Sequence, residues 1–149
     1  MWKFLLLTCL SLTMFGCTQI NPKTEAYPPL IVADATPIMS ASKRSIGVKI
    51  KFENIAHADY SYARFKLTAY DSAGNTIRPK KGKRDSAYVR LAGPIAQGRT
   101  RSTTWKNTWT SNGVKCISLD EVELIFPDGR VELAINDRLL SEKTGNRCL

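Results

Sequence analysis

The 149-residue sequence predicts an all-β fold, a sandwich of immunoglobulin-like or fibronectin-like shape followed by a short C-terminal helix. Three observations lead there. Apolar and polar side chains alternate at period two in successive runs. Turn-forming residues interrupt those runs at intervals of about ten residues. A 43% hydrophobic composition over this length suffices for one ordinary core and leaves little room for a second domain.

The clearest opening run is "SIGVKIKFEN", where Ile46, Val48, Ile50 and Phe52 alternate with Gly47, Lys49, Lys51 and Glu53. That pattern predicts a strand with one buried face. After a turn at "IAHAD", "YSYARFKLTAYD" places Ala63, Phe65, Leu67 and Ala69 on one side and Tyr62, Arg64, Lys66, Thr68 and Tyr70 on the other. The two runs are expected to pair as antiparallel neighbours. "DSAGN" is a turn by composition, with Gly74 free to take a positive φ. Short strands are expected at Thr76 to Arg78, in "SAYVRLAGPI", and in "RTRSTTWKNTWT", where Trp105 and Trp109 share parity. In "DEVELIFPDGRVELAI" a hairpin is expected, with Val122, Leu124 and Phe126 facing one way, a tight turn at Asp128-Gly129, and Val131, Leu133 and Ile135 returning on the same face. The segment "INDRLLSEKTG" predicts the terminal helix, capped by Asn136 or Asp137 and ended near Gly145.

Upstream of these strands the chain changes character. Lys3 opens a short positive region, and "FLLLTCLSLTMFG" follows as an apolar stretch of about 13 residues, the size of a signal peptide's core and short for a spanning helix. From Thr18 to about Arg44, four prolines and no sustained periodicity read as a tether, within which "PLIVAD" is apolar enough to form a first edge strand. The expected organisation is a signal peptide over 1–16, a tether over 17–44 and a β-sandwich over 45–149.

The junction "MFGC" resembles a bacterial lipoprotein signal, in which Gly16 and Cys17 fit the pattern and Phe15 departs from it. The resemblance implies diacylglyceryl transfer to the Cys17 sulfur, cleavage before it and acylation of the new amino end. More than one acyl chain makes such an anchor firm, because each buried methylene contributes about 0.8 kcal/mol. It also implies a membrane partner through the anchor, a periplasm-facing location and, because Thr18 rather than Asp follows the cysteine, a preference for the outer membrane with the inner membrane left open. Cys9 then leaves with the signal peptide and Cys17 is lipidated, so the two remaining cysteines, Cys116 and Cys148, are best read as one disulfide in an oxidising compartment.

The ordered series "KFEN", "FKLTAYDSAGN", "AGPI" and "WKNTWTSNGVKCISLDEVELIFPDG", from Val48 to Gly129, is similar to small prophage-borne enterobacterial lipoproteins of the YafY/YfjS kind. That resemblance implies an envelope protein with a structural or protein-interaction role and no assigned reaction, whose accumulation the Cpx envelope-stress pathway can sense.

The formal net charge is +9, and its densest contribution is "RPKKGKR", with Arg78, Lys80, Lys81, Lys83 and Arg84. Such a run is a solvated loop, and functionally it suits an anionic lipid, an anionic glycolipid or an acidic envelope protein. An exported lipoprotein has little access to nucleic acid, so no nucleic-acid partner is expected. An alternative reading makes the domain a binding module for cell-wall glycan or lipopolysaccharide, using this basic loop and exposed aromatics, with Trp105 and Trp109 as an aromatic platform, although such a pair more often fills a core. Tyr60, Tyr62 and Tyr70 are candidates for a half-exposed interaction face or for ordinary cross-strand packing.

Catalysis has weaker signals. Asp120, Glu121, Glu123 and Glu132 are carboxylates on or beside one hairpin, and His57, the sole histidine, lies near Asp59 in a turn; neither pattern requires a catalytic explanation. With no glycine-rich phosphate loop, no serine elbow and no paired-cysteine spacing, no cofactor, no metal site and no enzymatic activity are expected.

Overall fold

A computed structural model describes residues 27–110, 113–141 and 148, and within them the chain forms a two-sheet β-sandwich. The strands are β1 (Ile31–Met39), β2 (Ile46–Asn54), β3 (Tyr60–Tyr70), β4 (Thr76–Ile77), β5 (Ser86–Ile95), β6 (Thr100–Trp109), β7 (Cys116–Ile125), β8 (Val131–Ala134) and β9 (Leu139–Leu140). One sheet has the order β6-β2-β1-β9; the other has β3 at its centre, with β4 and β5 sharing one side and β7 then β8 on the other. The signal peptide, Cys17 and the first part of the tether lie outside the described residues.

The period-two runs form the walls of the core. Ile46, Val48, Ile50 and Phe52 of β2 are buried, as are Ala63, Phe65, Leu67 and Ala69 of β3. The two runs are not sheet neighbours, as their sequence proximity suggested. β2 pairs with β1 and β6, while β3 pairs with β4, β5 and β7, so the two face each other across the core, where the Phe52 and Phe65 rings meet at 5.5 Å. Each phenylalanine so buried contributes about 2–3 kcal/mol. Gly47 interrupts β2 where the β2–β6 register shifts: a Cβ there would lie 2.3 Å from the Trp105 carbonyl oxygen, so only glycine lets the bulged strands approach.

The folded domain begins earlier than residue 45. β1 occupies Ile31–Met39, inside the segment expected to be a tether, and buries Ile31, Ala33 and Ala35 against the core. It pairs with β2 along its whole length and with β9 only at Ile31 and Val32, so it is largely an edge strand. Pro37 is tolerated there because an edge leaves donor positions unused.

The expected helix is also corrected within the described residues. Asn136–Arg138 forms a single 3₁₀ turn, and Leu139–Leu140 then pairs in parallel with Ile31–Val32 as β9. Strand pairing satisfies the backbone of the two leucines directly, whereas docking them as a helix would leave the edge of β1 uncovered. The rest of the expected helix, 142–147, lies outside the described residues.

The largest correction concerns β8. A two-residue Asp128-Gly129 loop would place Leu124 opposite Leu133, but the observed register places Leu124 opposite Glu132 and Val122 opposite Ala134. The cause is Pro127. It takes the second position of a turn in which the Gly129 N–H donates to the Phe126 carbonyl at 3.0 Å, and Gly129 follows with φ of 83°. The loop is thus Pro-Asp-Gly followed by a bulge, one residue longer than the tight turn. A slip of one residue exchanges the two faces of a strand. Ala134 becomes buried, and Val131, Leu133 and Ile135 point to solvent, Val131 with 51% exposure.

Candidate interaction face

The slip of β8 creates an unusual outer surface on the sheet containing β5, β3, β7 and β8. Reading across the strands, Arg90, Arg64, Glu123 and Leu133 occupy one row, and Ala92, Tyr62, Ile125 and Val131 the next. Toward the other side, Tyr88 stands opposite Lys66, which stands opposite Glu121. All these residues have the parity opposite to the buried Ala63, Phe65 and Leu67.

Like charges face each other at Arg64 and Arg90, an arrangement that is unfavourable on a sheet unless the charges are compensated. Each guanidinium is compensated separately. Arg64 forms an ion pair with Glu123 and lies 5.5 Å from the Tyr88 ring centroid, while Arg90 lies 5.0 Å from that of Tyr62. The resulting lattice of tyrosine, arginine and aliphatic side chains is open to solvent: Tyr88 is exposed, as are Val131 and Leu133. Tyrosine and arginine combine large contact area with directional polar groups, and both are enriched at protein interfaces.

The other sheet presents a contrasting exterior. Its central positions are Lys49 and Lys51 on β2, flanked by Ser102 and Thr104 on β6 and by Asp34 and Thr36 on β1. Short hydroxyl and lysine side chains are what an ordinary solvated face carries.

The remaining candidate residues fall into place around these two faces. Tyr60 is fully buried rather than part of an interaction face, packing edge-on against Phe126 at 6.4 Å, whereas Tyr62 and Tyr70 are half-buried. Burial raises the Tyr60 phenol well above the ordinary tyrosine value, with the Arg101 guanidinium acting weakly in the opposite direction. Trp109 is 0% exposed and Trp105 is half-buried, its ring 5.9 Å from Phe65. The two tryptophans therefore pack the core, and the aromatic platform required by the glycan reading is not formed. Their common parity was legible; their inward direction follows from pairing with Ile46 and Val48 of β2.

Cys116 and Cys148 form a disulfide with Cα atoms 5.7 Å apart. Among the carboxylates, Glu123 pairs with Arg64, and Glu132 bridges Arg130 and Arg138 at 3.0 and 2.8 Å. Asp120 sits at the bulge between β3 and β7 and accepts a 2.6 Å hydrogen bond from the Thr68 hydroxyl, which also meets Ser86 at 3.1 Å. His57 is exposed, and Asp59 accepts a hydrogen bond from the Gln97 N–H at 2.9 Å, bracing two loops. Among the described residues no group of three or more His, Cys, Asp or Glu side chains is placed to hold a metal ion.

Arg78, Lys80, Lys81, Lys83 and Arg84 are exposed in the loop between β4 and β5, and Arg78 pairs with Asp85 at 3.0 Å. Tyr88, Arg90, Val131 and Leu133 were not singled out from sequence. Tyr88 and Arg90 share outward parity in "AYVRLA", a readable signal, but the outward set on β8 depended on the turn.

No protein-family model matches the chain, and no curated relative matches it. Among solved structures it is similar to IrmA from Escherichia coli, with a TM-score of 0.54 and 11% sequence identity over 76% of this chain and 92% of that one. At that identity the likeness concerns the fold.

Proposed function

We propose that this protein is a lipid-anchored, periplasm-facing envelope lipoprotein whose sandwich is a protein-interaction module, of the same kind as the YafY/YfjS lipoproteins and sensed by the Cpx pathway when it accumulates. The observation that carries the interaction role is the outer face of the β5-β3-β7-β8 sheet, where Tyr62, Tyr88, Arg64, Arg90, Val131 and Leu133 form one continuous surface. A partner covering it would remove apolar area from water, which favours association, and would strengthen the cation–aromatic attractions that offset the cost of drying the guanidinium groups. Cys17 supplies the anchor in this reading, and Thr18 favours the outer membrane.

Two experiments test the two halves. A photo-reactive amino acid at Tyr88 or Leu133 is expected to yield the same discrete adduct in cells, with none from Lys49 on the opposite face. Uniform labelling at all three positions would remove the interaction face. Growth with labelled fatty acid is expected to mark the wild-type chain and not Cys17→Ala; a labelled Cys17→Ala chain would remove the lipid anchor, and membrane fractionation then reports which membrane holds the protein.

A further inference from the structure

The cations of the basic run are not an isolated loop. The β4–β5 loop lies beside the end of β6, where Pro79 bridges to Trp109 and the Lys80 N–H donates to the Thr108 carbonyl at 2.8 Å. The β1–β2 hairpin tip reaches the same place, because the Ser45 hydroxyl bonds to the Asn107 side chain. Lys43 and Arg44 on that tip, Lys106 on β6 and Lys115 before β7 therefore join the loop at one end of the sandwich.

The charge distribution is sharply polar. This end gathers nine exposed Lys and Arg side chains against two carboxylates, Asp71 and Asp85, while the rest of the described domain holds nine cations and nine carboxylates. The whole net charge of the described domain thus resides at one end. Of the two carboxylates, Asp85 is occupied by Arg78, and Asp71 accepts the N–H groups of Ala73 and Asn75 within its own turn. Among the described residues, no carboxylate pairs with Lys43, Lys80, Lys81, Lys83, Lys106 or Lys115.

An apolar feature lies among these cations. Ile38, Met39, Ala41 and Gly47, with Lys106, line a hollow of about 440 Å³, and Met39 is 53% exposed. Several exposed cations on separate elements around an apolar hollow suit a laterally fluid anionic surface better than one shape-matched protein.

We propose that this end docks on anionic phospholipid, the ammonium and guanidinium groups meeting headgroup phosphates and the Ile38–Met39 hollow meeting the glycerol and first methylenes. The described chain begins at the opposite end, where Leu30 bonds to Arg138. A domain held through residue 27 alone would therefore carry its basic end away from the attachment point. Ten residue steps lead from Cys17 to Tyr27, where the described chain begins, about 35 Å at full extension. The sandwich is about 30 Å long, from the nine residues of β2. If the lipid-anchor reading holds, a tether of this length lets the domain tilt until its basic end meets the anchoring bilayer.

Hydrogen exchange of the full chain, with vesicles of phosphatidylcholine alone or mixed with phosphatidylglycerol, tests the proposal. Slowed exchange is expected in 40–45 and 78–85 with anionic vesicles only, reversed by salt as the charges are screened. Each cation near an anionic surface contributes about fivefold in partitioning, so Lys80→Glu/Lys81→Glu/Lys83→Glu, which removes three and adds three anions, should weaken vesicle binding by more than about 100-fold. The charge-matched control Lys49→Glu/Lys66→Glu/Arg99→Glu should leave the protection of both loops in place, which separates local docking from global charge. The same protection is expected in Cys17→Ala, so failure of the anchor leaves this result standing, and the reverse. Equal exchange of the two loops with both vesicles overturns the proposal, as does protection by soluble polyglutamate but not by vesicles, which assigns the end to an acidic protein.

Discussion

At the amino-terminal end of the sandwich, Asn54 is wholly buried and every one of its polar groups is bonded. Its amide donates to the Ala58 and Ile95 carbonyls at 3.1 and 3.0 Å, its side-chain oxygen accepts from the Ala56 N–H, and its backbone joins Arg99 and Gly98. At the basic end the polar groups are charged and face water, and the chain is instead closed covalently by Cys116–Cys148. The difference teaches how one small sandwich keeps its satisfied polar groups at one end and its solvated charge at the other. A neutral, satisfied network specifies a unique loop arrangement and leaves nothing for a partner, whereas solvated cations stabilise the fold little and remain available.

The largest expected effect strikes the basic end. Cys116→Ser/Cys148→Ser opens a loop with a sequence separation of 32 and is expected to lower stability by about 4 kcal/mol, measured by urea unfolding against the oxidised wild type. A change below about 1 kcal/mol would mean that noncovalent contacts already hold this end. Next, Asn54→Ala at the other end strands the Ala56 N–H, the buried Ile95 carbonyl and the part-buried Ala58 carbonyl, an expected cost of about 3 kcal/mol in the same measurement. If that variant is as stable as the wild type, the amide network is not what fixes the amino-terminal loops.

A smaller effect of opposite sign is expected at Tyr60, whose buried hydroxyl has no hydrogen-bond partner among the described residues. Tyr60→Phe should stabilise by about 1 kcal/mol at neutral pH. Because the folded phenol titrates above the unfolded value, its contribution is complete below about pH 10 and is lost as pH rises toward the folded value. The variant should therefore lose less stability than the wild type in alkaline melts, and parallel alkaline curves would argue against this.

The smallest effect belongs to Asp71. Hydrogen bonds from Asn75, first its backbone N–H and then its side chain, hold this exposed carboxyl below the usual aspartate range. Its contribution is present above about pH 4 and lost as pH falls through the lower folded value. Asp71→Ala should thus be slightly less stable than the wild type near neutrality, with the gap closing in acid; a gap that widens in acid would contradict the assigned cause.

Much of the sandwich was legible because local alternation reports burial directly. The inward sets of β2 and β3 stood in the sequence as they stand in the fold, since a strand half-buried in a sandwich exposes every second residue. The pairing of those two strands was not legible, because adjacent runs in such a sandwich often cross between sheets instead of forming a hairpin. The candidate interaction face was legible only in part. Arg64 and Tyr62 could be placed on the outward side of β3, but Leu133 and Val131 joined them through a single added loop residue.

What the sequence by itself determined is the all-β class, the buried face of each central strand, the pairing of Cys116 with Cys148 and the chemistry of the "RPKKGKR" run. The class, the buried faces and the charge run follow from composition and period, which act over a few residues, whereas the cysteine pairing was implied by the lipoprotein resemblance. Tertiary structure alone decided the outward turn of Val131, Leu133 and Ile135, the burial of Trp105 and Trp109, and the gathering of Lys43, Arg44, Lys106 and Lys115 beside the basic loop. Each of these depends on which strand a residue meets across the sheet or at its end, and that choice is made by pairing the whole chain at once.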